Sequence, residues 1–292
     1  MGSDSGTGGD DASTGIPGVG NLLGLKPGQV DLGTFDPDGT PGFDGGKSEG
    51  KKATKALGDE LLDLQAKLAA DGYTGGSRRL LLVLQGTDTS GKGGVLKHAV
   101  SLFDPGAVRI TSFGAPTEDE LRHDFLWRVE AEVPEPGQLG IFDRSHYEDV
   151  LIARVRRLAD DEEIERRYGA INDFEKRLVD DGTTVVKCML HISADEQRDR
   201  LLARLDNRRK VWKFKPEDLD DRALWAEYQR AYEIALERCN TDAAPWHVVP
   251  SDHKWYRTLA VASLLRDALR AMDLEWPTPG FDVEEQRRRL LA

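Results

Sequence analysis

The segment Gly86-Thr-Asp-Thr-Ser-Gly91-Lys92 fits the spacing G-x-x-x-x-G-K. In that spacing glycines let successive backbone N–H groups turn toward an anion, and a helix opening at the lysine adds a positive dipole end. Gly86, Thr87, Thr89, Ser90, Gly91, Gly93 and Gly94 are therefore candidate phosphate contacts. Lys92 would neutralise charge on a phosphoryl group in transfer. The bland alternative is a glycine turn joining a strand to a helix. Gly93 stands where a Ser or Thr usually supplies the magnesium-holding hydroxyl. Asp88 would repel phosphate unless a cation stood between them, so it either takes over the metal contact or caps the helix.

A second group of chemical residues follows Leu139-Gly-Ile-Phe-Asp143, an apolar strand ending in an acid. An acid there can face Mg2+ across a phosphate loop, which makes Asp143 the second candidate metal ligand. Arg144 can clamp phosphate as a bidentate fork. Glu148 and Asp149 are candidate nucleotide contacts, and His146 is either a general base or a histidine placed by its loop. Residues 198–215 then hold eight Lys and Arg against two acids. Arg200, Arg204 and Arg208 recur at i, i+4, i+8, and Trp212 and Phe214 alternate with Lys213 and Lys215. The segment reads as a mobile lid that closes cations over phosphates, or as a solvated charged face.

The elements that position these residues follow from apolar periodicity and capping signals. Strands are expected at 79–85, 107–112, 138–143, 183–192 and 246–249. Helices are expected at 51–71, 92–103, 146–158, 161–180, 194–206, 220–240 and 254–273. Capping boxes at Thr117-Glu-Asp-Glu120 and Ser193-Ala-Asp-Glu196 open helices to about 131 and 206. Alternating short strands and helices predict an α/β fold with a doubly wound parallel sheet. One domain over 45–275 would include the lid at about 200–220, with 276–292 as a C-terminal tail.

Residues 1–44 form an acidic tail within the stretch that holds half of the 30 glycines. Its first twenty residues are expected to be disordered, and 22–45 to wrap the domain as an arm. The net charge of −12 excludes a general nucleic-acid binder and a polybasic membrane protein. Two cysteines, Cys188 and Cys239, support neither a disulfide framework nor a zinc site. No apolar run is long enough to span a bilayer, and the expected location is cytoplasmic.

Taken together, Leu84-Gln-Gly-Thr-Asp-Thr-Ser-Gly-Lys-Gly-Gly94, Phe142-Asp-Arg-Ser-His-Tyr-Glu-Asp-Val-Leu151, Val211-Trp-Lys-Phe214, Phe125-Leu-Trp-Arg128 and Ala244-Pro-Trp-His-Val-Val-Pro-Ser-Asp-His-Lys-Trp-Tyr256 resemble the family-2 polyphosphate kinases. The resemblance runs from about residue 31 to 272. The Ser-His-Tyr-Glu-Asp form at 145–149 is similar to the subgroup that phosphorylates both AMP and ADP. Members of that subgroup often carry Asn at the position of Asp143 and Asp at that of Gly93.

The resemblance implies a P-loop kinase-like three-layer α/β/α fold with a helical lid. It implies transfer of the terminal phosphoryl group of inorganic polyphosphate to AMP or ADP, with GMP and GDP as further acceptors. Mg2+ is the implied cofactor, with Mn2+ as a substitute, and the implied assembly is a homo-oligomer, dimer or tetramer. Asp88, Lys92, Asp143, Arg144 and Arg204 would carry the chemistry, with Arg208, Lys213 and Lys215 on the anionic chain. An ATP-dependent kinase of a nucleotide or small metabolite is the competing reading.

Overall fold

The structure is a computed structural model that describes residues 15–292. Five short strands form its centre: β1 Arg79–Gln85, β2 Val108–Ser112, β3 Leu139–Asp143, β4 Thr183–His191 and β5 Trp246–Pro250. They pair in the order β2-β3-β1-β4-β5, all parallel. Leu80, Leu82 and Leu84 of β1 face one apolar cluster, and Leu81 and Val83 face another. That alternation produces three layers, because both faces of a parallel sheet must be covered by helices.

Along the chain the helices are α1 Val19–Leu23, α2 Lys47–Ala56, α3 Gly58–Tyr73, α4 Lys92–His98, α5 Trp127–Glu130, α6 Ile152–Val155 and α7 Asp161–Asp180. Then come α8 Ala194–Leu205, α9 Glu217–Ala223, α10 Trp225–Arg238, α11 Lys254–Ala271 and α12 Val283–Leu291. The first layer packs α1 to α4 and α11 on the sheet, and the second packs α7 and α10. Among the described residues no helix is long and apolar enough to cross a membrane.

Several elements differ from the sequence expectation. The helix expected over 51–71 is two helices meeting at Leu57, which is fully buried at the junction. The helix expected over 92–103 ends at His98 and passes into a 3-10 turn, Val100–Leu102. The capping box at Thr117 does close, since Thr117 N–H donates to Glu120 and Glu120 N–H donates to Thr117 Oγ1. It opens only the 3-10 turn Glu120–Arg122, because Leu121 is exposed and the segment has no apolar face to bury. The expected helix over 146–158 is a 3-10 turn, His146–Asp149, followed by the short α6. His146 and Tyr147 are both pulled into the core, where their side chains bond to Glu175. The helix to about residue 240 is split into α9 and α10 at Leu224.

Within the C-terminal tail expected over 276–292, residues Val283–Leu291 are helical in α12, with nearly all their side chains exposed. At the other terminus, the disorder expected over 1–20 lies outside the described residues for 1–14. Residues 15–20 are packed: Ile16 and Val19 are fully buried, and Ile16 N–H donates to Ser263 Oγ at 3.0 Å. Gly24 bridges His247 on the free edge of β5, and Leu25 N–H donates to the Trp246 carbonyl at 2.8 Å. Covering an edge in this way removes a template for intermolecular pairing.

Candidate active site

The phosphate loop begins where β1, buried along nearly its whole length, runs out at Gln85. Gly86 has φ +149, and a Cβ there would meet the Leu190 carbonyl at 2.8 Å, so only glycine fits beside β4. Thr89 (φ +60) and Gly91 (φ +110) turn the chain back on itself. The Gly86 N–H donates to the Tyr232 hydroxyl at 3.1 Å. The buried hydroxyls of Thr87, Thr89 and Ser90 make no hydrogen bond. Three buried hydroxyls without a protein partner in one loop fit a site that takes a polar ligand.

Lys92 opens α4 and folds back so that Nζ donates to the Gly86 carbonyl at 2.6 Å and the Thr87 carbonyl at 3.5 Å. Burial and the neighbouring Arg144 hold its ammonium below the usual lysine range, opposed by Asp143, Glu148 and Asp88. The three carboxylates act on both Lys92 and Arg144, so the loop and the end of β3 form one electrostatic site.

Pairing of Leu84 with Asp143 explains the convergence, because it puts the acid at the carboxyl end of the sheet beside the loop. Arg144 takes φ +65, an uncommon backbone for a non-glycine residue, and its N–H donates to the Leu84 carbonyl at 3.1 Å. The turn of the chain there leaves its side chain exposed at the cleft. Glu148 is held above the usual carboxylate range by burial, against the pull of Arg144 and Lys92. With the Gln85 amide oriented so that its oxygen accepts from Ser145, its nitrogen donates to Glu148 Oε1 at 3.0 Å.

The other members of that segment point elsewhere. His146 is fully buried with Nε2 3.2 Å from Glu175 Oε1, which makes it a placed loop residue rather than a base at the cleft. The Tyr147 hydroxyl donates to Glu175, and Lys187 Nζ donates to Glu175, Tyr147 and the Cys239 carbonyl. Asp149, expected at the nucleotide, faces Arg128 and Arg167 at 3.6 Å each. Its carbonyl accepts from Arg167 as well, which turns the residue toward α7 and away from the cleft.

The basic segment is divided between two sides of the loop. Arg200 is buried and donates to the Thr89 and Ser90 carbonyls from behind, so it is not part of a surface closing over phosphates. One turn on, Arg204 Nη1 lies 3.2 Å from Asp88 Oδ2 and 3.4 Å from Asp218 Oδ2. Arg208 and Lys215 are exposed, and Lys213 sits over the exposed Trp212 ring at 5.1 Å. Gly93 is open, with nothing within 4 Å of where a methyl group would sit, whereas Gly94 backs onto Arg257.

A cleft in front of the loop is lined by Thr87, Asp88, Arg144 and Glu148 on one side and by Trp225, Tyr228 and Tyr232 on the other. These aromatic residues are absent from the sequence expectation, although their spacing of three and seven along α10 is a helical face and was legible as such. Arg257 carried no local signal, since it touches the loop only through the packing of α11. For a divalent cation, the donors that fit are the carboxylates of Asp88 and Asp143, assisted by the unsatisfied loop hydroxyls.

The family model described as Polyphosphate kinase 2 matches residues 45–277. A protein of Meiothermus ruber named AMP/ADP-polyphosphate phosphotransferase is 46% identical over 252 residues, covering 86% of this chain and 93% of its own length. The ADP-polyphosphate phosphotransferase of Rhodopseudomonas palustris is 35% identical, covering 90% of this chain and 95% of its own. The crystal structure of polyphosphate kinase 2 from Arthrobacter aurescens TC1 superimposes with a TM-score of 0.92 at 50% identity, over 95% of this chain and 98% of that one.

Proposed function

The chain belongs to the polyphosphate kinase 2 family, and from that premise we propose that it transfers the terminal phosphoryl group of inorganic polyphosphate reversibly to AMP and ADP. The observation that carries the proposal is the joining of two kinds of surface at one loop. An anion cradle with unsatisfied hydroxyls meets the basic segment through Arg204, which reaches both Asp88 and the Lys213 carbonyl, and a cleft beside it has aromatic walls suited to a nucleoside.

The attacking group is a phosphate oxygen of the acceptor, already ionised at neutral pH, so no strong general base is required. This agrees with the burial of His146. The main obstacle is bringing two polyanions together, and alignment with charge neutralisation supplies the rate. Lys92 is poised to move from the Gly86 carbonyl onto the oxygens of the transferred phosphoryl group. Arg144, at the edge of the cleft, meets the acceptor phosphate, and Arg204 reaches over Asp88 from the lid side. Asp88 and Asp143 would hold Mg2+, or Mn2+ in its place, and such a cation would supply charge neutralisation on the phosphates. Tyr228, Tyr232 and Trp225 would pack on the acceptor's base and exclude water from it. An aromatic wall stacks on either purine, so GMP and GDP are further acceptors in this reading. We place the enzyme in the cytoplasm as a homo-oligomer.

The test is incubation of the protein with Mg2+, long-chain polyphosphate and either AMP or ADP, followed by chromatography of the nucleotides. ADP and ATP are the expected products. No product from polyphosphate, together with phosphorylation of a nucleotide or metabolite by ATP, would replace the proposal with an ordinary ATP-dependent kinase.

A further inference from the structure

When N–H groups of a loop turn inward to an anion, the carbonyls of the same peptides turn outward and need donors of their own. Behind this loop two arginines supply them. The Ser90 carbonyl accepts from Arg200 Nη1 at 3.0 Å and from Arg257 Nη1 at 3.1 Å, and the Thr89 carbonyl accepts from Arg200 Nη1 at 2.8 Å. Arg200 also donates to the Ser251 carbonyl at 2.5 Å, the Asp252 carbonyl at 3.0 Å and Glu196 at 2.6 Å. It thereby ties the loop to the chain leaving β5.

Arg257 is 3% exposed and makes no ion pair among the described residues. Burial, with Arg200 beside it, brings its guanidinium down to about 10, so it stays charged at neutral pH. Two glycines make room for it. A Cβ at Gly91 would lie 1.8 Å from Arg257 Nη1, and one at Gly94 would lie 2.4 Å from Nη2. The second glycine of the motif and the one at the next helical turn thus serve a partner that the motif does not contain. Two buried cations with one carboxylate, Glu196, within reach are an expense for folding alone. Their charge is balanced when a polyanion occupies the front of the loop.

We propose that Arg200 and Arg257 are positioning residues of the phosphate loop, fixing its 89–91 backbone from behind through the Thr89 and Ser90 carbonyls and keeping uncompensated positive charge there. The proposal rests on the polyphosphate reading, and its test separates the two. Arg257→Met and Arg257→Lys are compared with the unmodified protein for ATP formation from ADP and polyphosphate, and for calorimetric binding of tripolyphosphate. Absence of ATP formation by the unmodified protein counts against the reading of the substrate, while tripolyphosphate binding still tests the arginines.

Folded Arg257→Met is expected to bind tripolyphosphate at least about 10-fold more weakly, the loss of one charge-assisted interaction. Arg257→Lys restores the charge without the planar fork, so binding should return to within about 3-fold while kcat stays about 10-fold low. A purely structural role would move unfolding temperature and leave that split absent. Unchanged tripolyphosphate affinity in folded Arg257→Met, or unchanged kcat in Arg257→Lys, overturns the proposal. Should Arg257→Met fail to fold, the Arg257→Lys measurements decide it by the same criteria.

Discussion

Replacing Gly91 by alanine tests the loop geometry with an internal control two residues away, at Gly93. Gly91 sits at φ +110 and ψ +25, where an L-residue is strained by about 1–2 kcal/mol. Its new methyl would lie 1.8 Å from Arg257 Nη1 and 2.5 Å from Cζ, so the guanidinium must leave the Ser90 carbonyl. Losing that charge-assisted bond costs about 1.5–3 kcal/mol. The sum is about 2.5–5 kcal/mol, a large share of the roughly 5–15 kcal/mol that holds a typical domain together. Gly93→Ala meets nothing within 4 Å and has no positive φ, so it should stabilise α4 by about 0.5–1 kcal/mol. Urea unfolding of both variants, monitored by circular dichroism, should therefore show a gap of about 4 kcal/mol between them. Equal stabilities to within about 1 kcal/mol, inside the scatter of ordinary surface changes, would refute the account of Gly91 and of its arginine partner.

Three further outcomes are expected. Lys187→Met strands Glu175 in the core, where the pair is 2.6 Å apart and fully buried, and should cost about 3–5 kcal/mol; a change under about 1 kcal/mol in urea titration would show that the pair is not holding the Tyr147 segment. Burial raises Glu148 above its ordinary 4.5, so the stability that its protonated form contributes is present below that value and is lost as pH rises through the folded value and the group ionises. Glu148→Gln should accordingly be more stable than the unmodified protein at pH 8, with the difference in melting temperature closing as pH falls to 4; a gap independent of pH would contradict the burial argument. Arg208→Ala removes an exposed lid cation and should raise the KM for polyphosphate and flatten its dependence on salt, whereas an unchanged salt slope would place the chain elsewhere.

The strand that delivers the phosphate loop was legible because its signals are local. Five consecutive aliphatic residues, a glycine at the strand end and G-x-x-x-x-G-K define β1, the loop and the start of α4 without reference to the rest of the chain. The same holds for Ser193, whose side chain caps α8 as its spacing from Glu196 requires. Helix lengths were less legible. Thr117 and Glu120 make a correct cap, but nothing downstream offers a buried face, and a cap does not sustain a helix by itself.

Side-chain direction at the site belongs to tertiary structure. Four adjacent residues, His146 to Asp149, diverge because Glu175 and Lys187 draw the first two inward and Arg128 and Arg167 draw the last toward α7, leaving Glu148 for the cleft. Arg200 and Arg204 look alike in sequence, yet one supports the loop from behind and the other meets Asp88 at its front. Glycine placement within seven residues marks a loop shaped to cradle an anion, because backbone geometry of that kind is local. Only the tertiary structure decided which charges face that anion, because direction depends on which of several distant donors and acceptors the packed layers bring into reach.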